Sequence, residues 1–451
     1  MAKIGLEIHG YIDTKEKLFC NCLSDHGKKD TKPNTNICPV CTGQPGSKPL
    51  LPNQEAIKKA TEIALLLKCK INEKIPWQRK HYSWPDLPKG FQSTFSGPHA
   101  IPNGESGEFM GIKIRECHLE EDPAAWNPDT GEIDYNRSGS PLIEIVTEPD
   151  FKESEEVAEW VKNLIVALSY IKAIDKNSGV KADVNVSIPG GKRVEMKNIN
   201  SIKKIKEAIK VEIERQKKDI PKYEETRMYD EKSKSTKLMR TKENAQDYRF
   251  ITDPDLPVVK ISKEELSKIK SSIPETPQEK LKKLIKVHRI DKKIAEILTK
   301  KIEIVEFFEG VAKKIPPEFA LPWVTVELLG VLNYNKKELD EVEINPEHFI
   351  ELLEAVKEKK ITELQAKDIL RSWIPKSYSP KERIEKSSKI DDKDEIHSIA
   401  KKVISENKKA VEDFKNGEKN SLNFLIGQIM KLSNKRADYK TAKEVLEELM
   451  K

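Results

Sequence analysis

A change in sequence texture near residue 260 constrains the fold of this chain more than any other feature. Before that point the sequence is rich in Gly, Pro, Trp and Tyr and alternates in short segments. Beyond about residue 262 it has few glycines and a long Lys/Glu/Leu/Ile periodicity. A period of two is typical of half-buried strands and a period near 3.6 of helices. The chain is therefore predicted to be α+β, with a mixed α/β part followed by helices.

Individual segments of the first part have clear strand or helix patterns. In residues 4–9 the apolar side chains point one way, and Glu7 and His9 point the other. Residues 183–188 alternate in the same manner, with Asp183 on the polar face. Helical spacing of apolar residues covers two further segments, 53–68 and 153–173.

Length and composition limit the class of protein. With 451 residues the chain is too long for a typical single core, so two or three domains are expected. No apolar run approaches the ~20 residues that span a bilayer, and the N-terminus has no signal-peptide pattern. We therefore expect a cytoplasmic protein without a membrane segment. The net charge of +6 is mild and does not by itself indicate nucleic-acid binding.

Four of the six cysteines lie within one short window. The window contains Cys20, Cys22, Cys38 and Cys41, which form two close pairs separated by a loop. This arrangement suits tetrahedral thiolate coordination of Zn²⁺ in a closed, structural site. Buried free thiols or a redox pair are the alternatives. A zinc deaminase is set aside, because its His-x-Glu motif precedes the cysteine pair and here the order is reversed.

Acidic residues occupy unusual places in the first part of the chain. Glu144 interrupts the apolar segment 142–146, where a carboxylate is costly unless it is paired or binds a cation. Glu7 and His9 share the polar face of a strand, and Glu120 lies within a run of three acids. Oxygen ligands with one imidazole suit Mg²⁺ bound to a nucleotide's phosphates. For each residue alone, a surface carboxylate or a salt bridge is the simpler interpretation.

Residues 77–92 interleave Arg, Lys and aromatic side chains in a Pro-rich segment. Such a mixture suits contacts with phosphate or nucleic acid. A rigid packing loop is an equally simple alternative.

These segments together resemble the B-subunit family of tRNA-dependent amidotransferases. The resemblance covers nearly the whole chain, with eight or more motifs in the expected order. The matching stretches are residues 5–9, 17–20, 38–41, 79–82, 84–92, 118–122, 141–150, 183–187, 197–201, 247–250 and 422–431. His81 and Trp84 stand where the family commonly has other residues. The chain also lacks the long inserted domain of a related archaeal protein, which favours the three-subunit enzyme.

The resemblance implies an ATP-dependent reaction on tRNA. The side-chain carboxylate of Asp-tRNA(Asn) or Glu-tRNA(Gln) would be phosphorylated and then amidated with ammonia derived from glutamine. The implied partners are the A subunit, an amidase-type glutaminase, and the small C subunit. ATP, Mg²⁺ and Zn²⁺ are the implied cofactors.

The resemblance also assigns roles to residues and domains. It implies a cradle-shaped catalytic domain over residues 1–290, a helical domain over 291–375 and a tRNA-binding tail domain over 388–451. The residues implied to hold Mg²⁺ and phosphates are Glu7, His9, Glu120, Glu144 and Asp183. Candidate nucleotide or tRNA contacts are Arg79, Lys80, Lys89, Glu121 and Glu148.

Two other classes of protein remain as alternatives. One is a zinc-containing tRNA-binding adaptor without chemistry of its own, and the other is a stand-alone metal nuclease. An adaptor gives no reason to bury Glu144 beside Glu7 and His9, and the tail argues against a nuclease.

Overall fold

The computed structural model describes residues 1–24, 31–175, 180–241, 248–386, 393–415, 418–433 and 436–450. The chain divides into two compact units, residues 1–277 and 278–451. Residue 388, at the start of the predicted tail domain, and Asp247, in one of the matching motifs, lie outside the described residues. The three predicted domain ranges therefore stay predictions.

The first unit contains the strands. They are β1 Lys3–Tyr11, β2 Lys70–Ile71, β3 Lys74–Ile75, β4 Gln78–His81, β5 Gln92–Thr94, β6 Gly104–Phe109, β7 Ile112–Glu121, β8 Ala125–Trp126, β9 Ile133–Asp134, β10 Pro141–Thr147, β11 Val180–Ser187, β12 Val194–Ile199, β13 Glu225–Asp230, β14 Ser235–Thr241, β15 Arg249–Thr252 and β16 Val259–Lys260. Strands β3 and β16 pair with each other, as do β8 and β9.

The other strands form one large sheet. Its order is β14-β13-β12-β11-β1-β10-β7-β5-β4-β15, with β6 joined to β7 and β2 joined to β6. Only the β12–β13 pair is parallel among the described strands. The central strand β1 lies between β10 and β11, so three segments that are distant in sequence meet there.

Helices accompany the sheet in the described part of the first unit. They are α1 Gln54–Leu66, α2 Ser154–Tyr170, α3 Ile202–Lys218 and α4 Lys263–Ser272. Capping fixes where two of them begin: the side chain of Asn53 accepts from the backbone N–H groups of Glu55 and Ala56, and that of Ser201 accepts from Lys204.

One face of the sheet forms the core. Ile4, Leu6 and Ile8 of β1 are at most 1% exposed and share a hydrophobic cluster with residues of α1, α2 and α3. Because side chains alternate along a strand, the polar residues of β1 must lie on the opposite face.

The second unit is helical in its described part. Its helices are α5 Pro277–Lys286, α6 Lys292–Leu298, α7 Ile302–Ala312, α8 Pro317–Pro322, α9 Leu329–Tyr334, α10 Pro346–Lys357, α11 Glu363–Arg371, α12 Lys381–Lys386, α13 Lys393–Glu406, α14 Lys408–Lys415, α15 Lys419–Leu432 and α16 Tyr439–Leu449. A π-helical stretch, Trp323–Leu328, joins α8 to α9. Residues of α13, α15 and α16 share a hydrophobic cluster whose described buried members all lie within positions 396–450.

The predicted α+β class is confirmed. Strands occupy the segments with alternating polarity, and helices α1 and α2 occupy the segments with helical spacing. No helix among the described residues combines the length and apolar character that crossing a membrane requires.

Candidate functional site

The polar face of the large sheet brings the predicted acidic residues together. In the β1–β11 ladder Glu7 is paired with Asp183, and in the β1–β10 ladder His9 is paired with Glu144. Glu144 is in turn opposite His118 on β7. Directly paired residues of antiparallel strands project to the same side of a sheet. The strand register therefore collects these side chains from four strands on one surface.

The centre of this surface is a row formed by His9, Glu144 and His118. An oxygen of Glu144 lies 3.4 Å from Nε2 of His9 and 3.2 Å from Nε2 of His118. Burial alone would raise the pKa of Glu144, but the positive charges of the two histidines hold it well below its ordinary value. Burial alone would lower the pKa of each histidine. Glu144 outweighs that effect and raises the pKa to about 9 for His9 and about 10 for His118.

Glu120 completes the first group of possible metal ligands. Ligand atoms of His9, Glu120 and Glu144 all lie within 4.8 Å of one another. Glu120 is 4% exposed, and its Oε2 atom is buried without a hydrogen-bond partner among the described residues. Burial raises the pKa of Glu120, and the charge of Glu144 adds to this. A buried carboxylate oxygen without a partner among the described residues, beside a second carboxylate and a histidine that would give up its proton on binding, fits a divalent cation.

A second acidic group lies beside the first. Ligand atoms of Glu7, Asp183 and Glu195 also lie within 4.8 Å of one another. The ammonium of Lys197 donates to Asp183 over 2.6 Å and also contacts Glu195. Burial raises the pKa of Glu7, and the charge of Glu144 raises it further. The two groups therefore form one continuous surface rich in carboxylates, which we call the acidic surface.

A cleft of about 530 Å³ opens beside this acidic surface. Its lining residues are Lys80, Tyr82, Trp84, Asp86, Gln92, Ala125, Trp126, Arg137, Lys197, Asn198, Thr226, Met239, Arg240 and Tyr248. Strands β14 and β4, near opposite ends of the sheet order, both contribute to the lining. The sheet is thus curved around the cleft.

The cleft combines cations with aromatic rings. Lys80 lies over the ring of Tyr248 at 5.0 Å, and the charges of Glu120 and Glu144 raise its pKa against the lowering effect of burial. Trp84 and Trp126 meet edge to face with their centroids 5.4 Å apart. Cationic groups and flat rings in one cleft suit a phosphate ester attached to a base.

Several predicted contact residues lie elsewhere. Arg79 projects away from the cleft, because it is held by Asp253 at 3.0 Å and by Asp255 at 2.5 Å. Lys89 pairs with Glu121 at 2.5 Å. Neither Arg79 nor Lys89 lines the cleft.

Glu148 is also separate from the acidic surface. Its two carboxylate oxygens accept from Arg115, each over 3.0 Å. The hydrogen bond from Arg115 lowers the pKa of Glu148. Of the proposed nucleotide contacts, only Lys80 therefore faces the cleft.

The four clustered cysteines come together as predicted. Their sulfur atoms all lie within 4.8 Å of one another, and those of Cys38 and Cys41 are 3.9 Å apart. Thiolates at about 2.3 Å from a tetrahedral zinc ion are separated by roughly 3.8 Å, so this spacing fits zinc. The interaction with the thiol of Cys20 lowers the pKa of Cys41 below its ordinary value. All four are free cysteines.

Comparison with known proteins agrees with this architecture. A family model described as "GatB/GatE catalytic domain" matches residues 2–267, and one described as "GatB domain" matches residues 306–450. The chain belongs to the GatB/GatE family.

Curated relatives of this GatB/GatE chain match it over nearly its full length. A protein of Methanopyrus kandleri is 43% identical, with 99% of this chain and 98% of the relative covered. A protein of Methanocaldococcus jannaschii is 44% identical, with 99% and 97% covered. One from Methanothermobacter thermautotrophicus is 43% identical, with 99% of each covered. All three are named as the B subunit of an aspartyl/glutamyl-tRNA(Asn/Gln) amidotransferase.

Sequence reasoning did not single out three residues of this GatB/GatE site. Glu195 and Lys197 lie on the polar side of β12. Glu195 stands between the buried residues Val194 and Met196 in the sequence, and Lys197 follows Met196. The alternation of residues 194–197 is a signal that could have found them. His118 was noted only as part of a motif, although its contact with Glu144 is central.

Proposed function

We propose that this chain is the B subunit of a tRNA-dependent amidotransferase. It would convert Asp-tRNA(Asn) or Glu-tRNA(Gln) into Asn-tRNA(Asn) or Gln-tRNA(Gln) during protein biosynthesis. Full-length similarity to relatives that are named for this activity supports the proposal. We also place the chain in the cytoplasm, where aminoacyl-tRNA is used.

The chemistry requires activation of a carboxylate. Ammonia does not displace the oxygen of a carboxylate at neutral pH, because that oxygen is a poor leaving group. In the first step the side-chain carboxylate attacks the γ-phosphorus of ATP, and ADP leaves. In the second step ammonia attacks the carbonyl carbon, the bond to the phosphate oxygen breaks, and a proton is lost from nitrogen. The products are the amide and inorganic phosphate.

One observation carries the proposal: His9, Glu120 and Glu144 converge within 4.8 Å, and Glu120 has a buried oxygen without a partner among the described residues. These residues would hold Mg²⁺, with Glu7 and Asp183 beside them. Bound there, Mg²⁺ would withdraw charge from the phosphoryl oxygens during transfer. Lys80, at the border between the acidic surface and the cleft, would pair with a phosphate.

The chain would act with partners. Its sequence has nothing that resembles the Ser-Ser-Lys machinery of amidases, so the glutaminase would be a separate polypeptide, the A subunit. The small C subunit would complete a heterotrimer. Zinc held by Cys20, Cys22, Cys38 and Cys41 would have a structural role, because four thiolates leave no open coordination position.

The test is the conversion of Asp-tRNA(Asn) and Glu-tRNA(Gln) with ATP, Mg²⁺ and ammonium as nitrogen donor. Wild type and Glu144→Gln are compared after reconstitution with the other two polypeptides. We expect the variant to lose ATP-dependent product while tRNA binding and zinc content are unchanged. Glu108→Gln, at an exposed position of β6, is the matched control and should retain activity.

Full activity of Glu144→Gln would place phosphoryl transfer outside this chain. The chain would then be a zinc-containing tRNA-binding adaptor. Loss of tRNA binding together with activity would point to a folding defect, which circular dichroism of the variant would reveal.

A further inference from the structure

The acidic surface is built from two groups, and a lysine ammonium occupies one of them. Lys197 donates to Asp183 over 2.6 Å and also contacts Glu195. Both acceptors belong to the group whose third member is Glu7. The group around His9, Glu120 and Glu144 has no lysine within ion-pair distance among the described residues.

An ammonium and a divalent cation would compete for the same position. Carboxylate oxygens bind metals at about 2.0–2.6 Å, so a cation bound to all three residues must lie between them. The ammonium of Lys197 already bridges two of the three. Two cations cannot share that position, because they repel each other at contact distance in a poorly solvated environment.

Local backbone geometry holds Lys197 in this place. The next residue, Asn198, has φ 57°, a left-handed conformation that is uncommon for a residue other than glycine. This conformation lets the N–H of Asn198 donate to the second oxygen of Asp183 over 2.7 Å. The β11–β12 ladder shifts register between Ala182 and Val184, beside the same contact. Asp183 therefore contacts both the side chain of Lys197 and the backbone of Asn198.

Lys197 also faces the cleft. It lines the cleft together with Asn198 and with Arg240 of β14, and its side chain is 29% exposed. Its long, flexible side chain can therefore exchange a carboxylate partner for a phosphate that enters the cleft.

We propose that Lys197 acts as an internal cation, which closes the Glu7–Asp183–Glu195 group to a divalent metal and contacts the phosphate of the bound nucleotide. The second half of this inference rests on the proposed function. Without nucleotide the chain then binds one divalent cation at the acidic surface, through His9, Glu120 and Glu144. Replacing Lys197 by an uncharged residue opens a second position.

Mn²⁺ binding tests the first half. The full chain, with its partner polypeptides and with zinc in the cysteine cluster, is titrated with Mn²⁺ in the absence of phosphate compounds, and free Mn²⁺ is followed by electron paramagnetic resonance. We expect one Mn²⁺ per chain for wild type and two for Lys197→Met. Lys197→Arg keeps the charge and should bind one. Lys204→Met, which removes an ammonium paired with exposed Glu231, should also bind one.

Two Mn²⁺ ions in wild type, or one in a folded Lys197→Met, would overturn the internal-cation assignment. If Lys197→Met fails to fold, two Mn²⁺ ions in wild type or in Lys197→Arg would overturn it equally.

Amidation kinetics test the phosphate contact. At saturating ATP we expect kcat to fall roughly 100-fold or more in Lys197→Met, with partial recovery in Lys197→Arg. An unchanged kcat in Lys197→Met would refute the contact. Failure of the proposed function itself is distinguishable, because wild type would then lack ATP-dependent amidation whatever the Mn²⁺ stoichiometry.

Discussion

Glu120 and Glu121 are adjacent in sequence but belong to different parts of the structure. Glu120 lies on the polar face, with one oxygen lacking a partner among the described residues. Glu121 accepts from Lys89 over 2.5 Å and from the N–H of Ser93 over 2.8 Å. The alternation of β7 therefore separates a proposed metal ligand from a structural ion pair within one dipeptide.

This difference predicts opposite effects for the same substitution. Glu120→Gln should lower the amidation rate roughly 100-fold or more, with little change in Tm, because it removes a charge at the reacting phosphate. Glu121→Gln should keep most of the activity and lose about 1–3 kcal/mol of stability, since the Lys89 pair is broken. Amidation rates and thermal unfolding of both variants check this. Equal loss of activity in the two variants would contradict the assignment.

Some residues of the candidate site could be predicted from the sequence, and others could not. The polar face of β1 follows from alternation, so Glu7 and His9 could be chosen from the sequence. The direction of Arg79 could not, because it depends on ion pairs with Asp253 and Asp255, more than 170 positions away. Basic residues in one segment look equivalent until their acidic partners are known.

At the scale of elements, a buried carboxylate of α3 connects this helix to the sheet through a hydrogen bond. Glu212 is 0% exposed and accepts hydrogen bonds from Arg215, Gln216 and Thr236. We expect Glu212→Ala to cost about 3–5 kcal/mol, because removing one partner leaves buried polar groups without compensation. Denaturant unfolding measures the effect. Glu214→Ala, at an exposed position of the same helix, should stay within ~0.5 kcal/mol of wild type.

A close backbone approach joins the cysteine loop to the loop after β4. Gly43 has φ +63°, and a Cβ there would lie 2.2 Å from the carbonyl oxygen of Pro88. Gly46 has φ +84°, and a Cβ added to Gly46 would have no neighbouring atom within 4 Å. Gly43→Ala should therefore destabilise the chain by at least ~1 kcal/mol more than Gly46→Ala, which carries only the conformational cost. Thermal unfolding gives the Tm of each variant. Equal Tm values for the two variants would exclude the close approach of Gly43 to Pro88.

Elements themselves were predicted better than their arrangement. The helices over 54–66 and 154–170 follow from local apolar spacing. The pairing of β1 with β10 and β11 does not, since it joins residues that are more than 130 positions apart. Strand register is decided by long-range packing, and the alternation of one strand does not specify its partner.

At the scale of the whole molecule, the C-terminal helices form a hydrophobic cluster from their own residues. Buried members range from Ile396 to Met450, and none of the described members comes from outside positions 396–450. A chain ending at Lys386 should therefore keep its unfolding temperature and its Mn²⁺ stoichiometry. We expect its KM for aminoacyl-tRNA to rise roughly tenfold, because the proposed tRNA-binding tail is missing. Steady-state amidation with limiting tRNA checks this, and an unchanged KM would exclude a role of the tail in binding.

The register of β10 also affects the stability of the folded sheet. Ile143 and Ile145 are fully buried, while Glu144 between them faces the acidic surface. A slip by one residue would turn Glu144 into the hydrocarbon interior and expose both isoleucines. A misassembled sheet would therefore be too unstable to persist. The register that buries Ile143 and Ile145 is thus the same register that places Glu144, a proposed metal ligand, on the acidic surface.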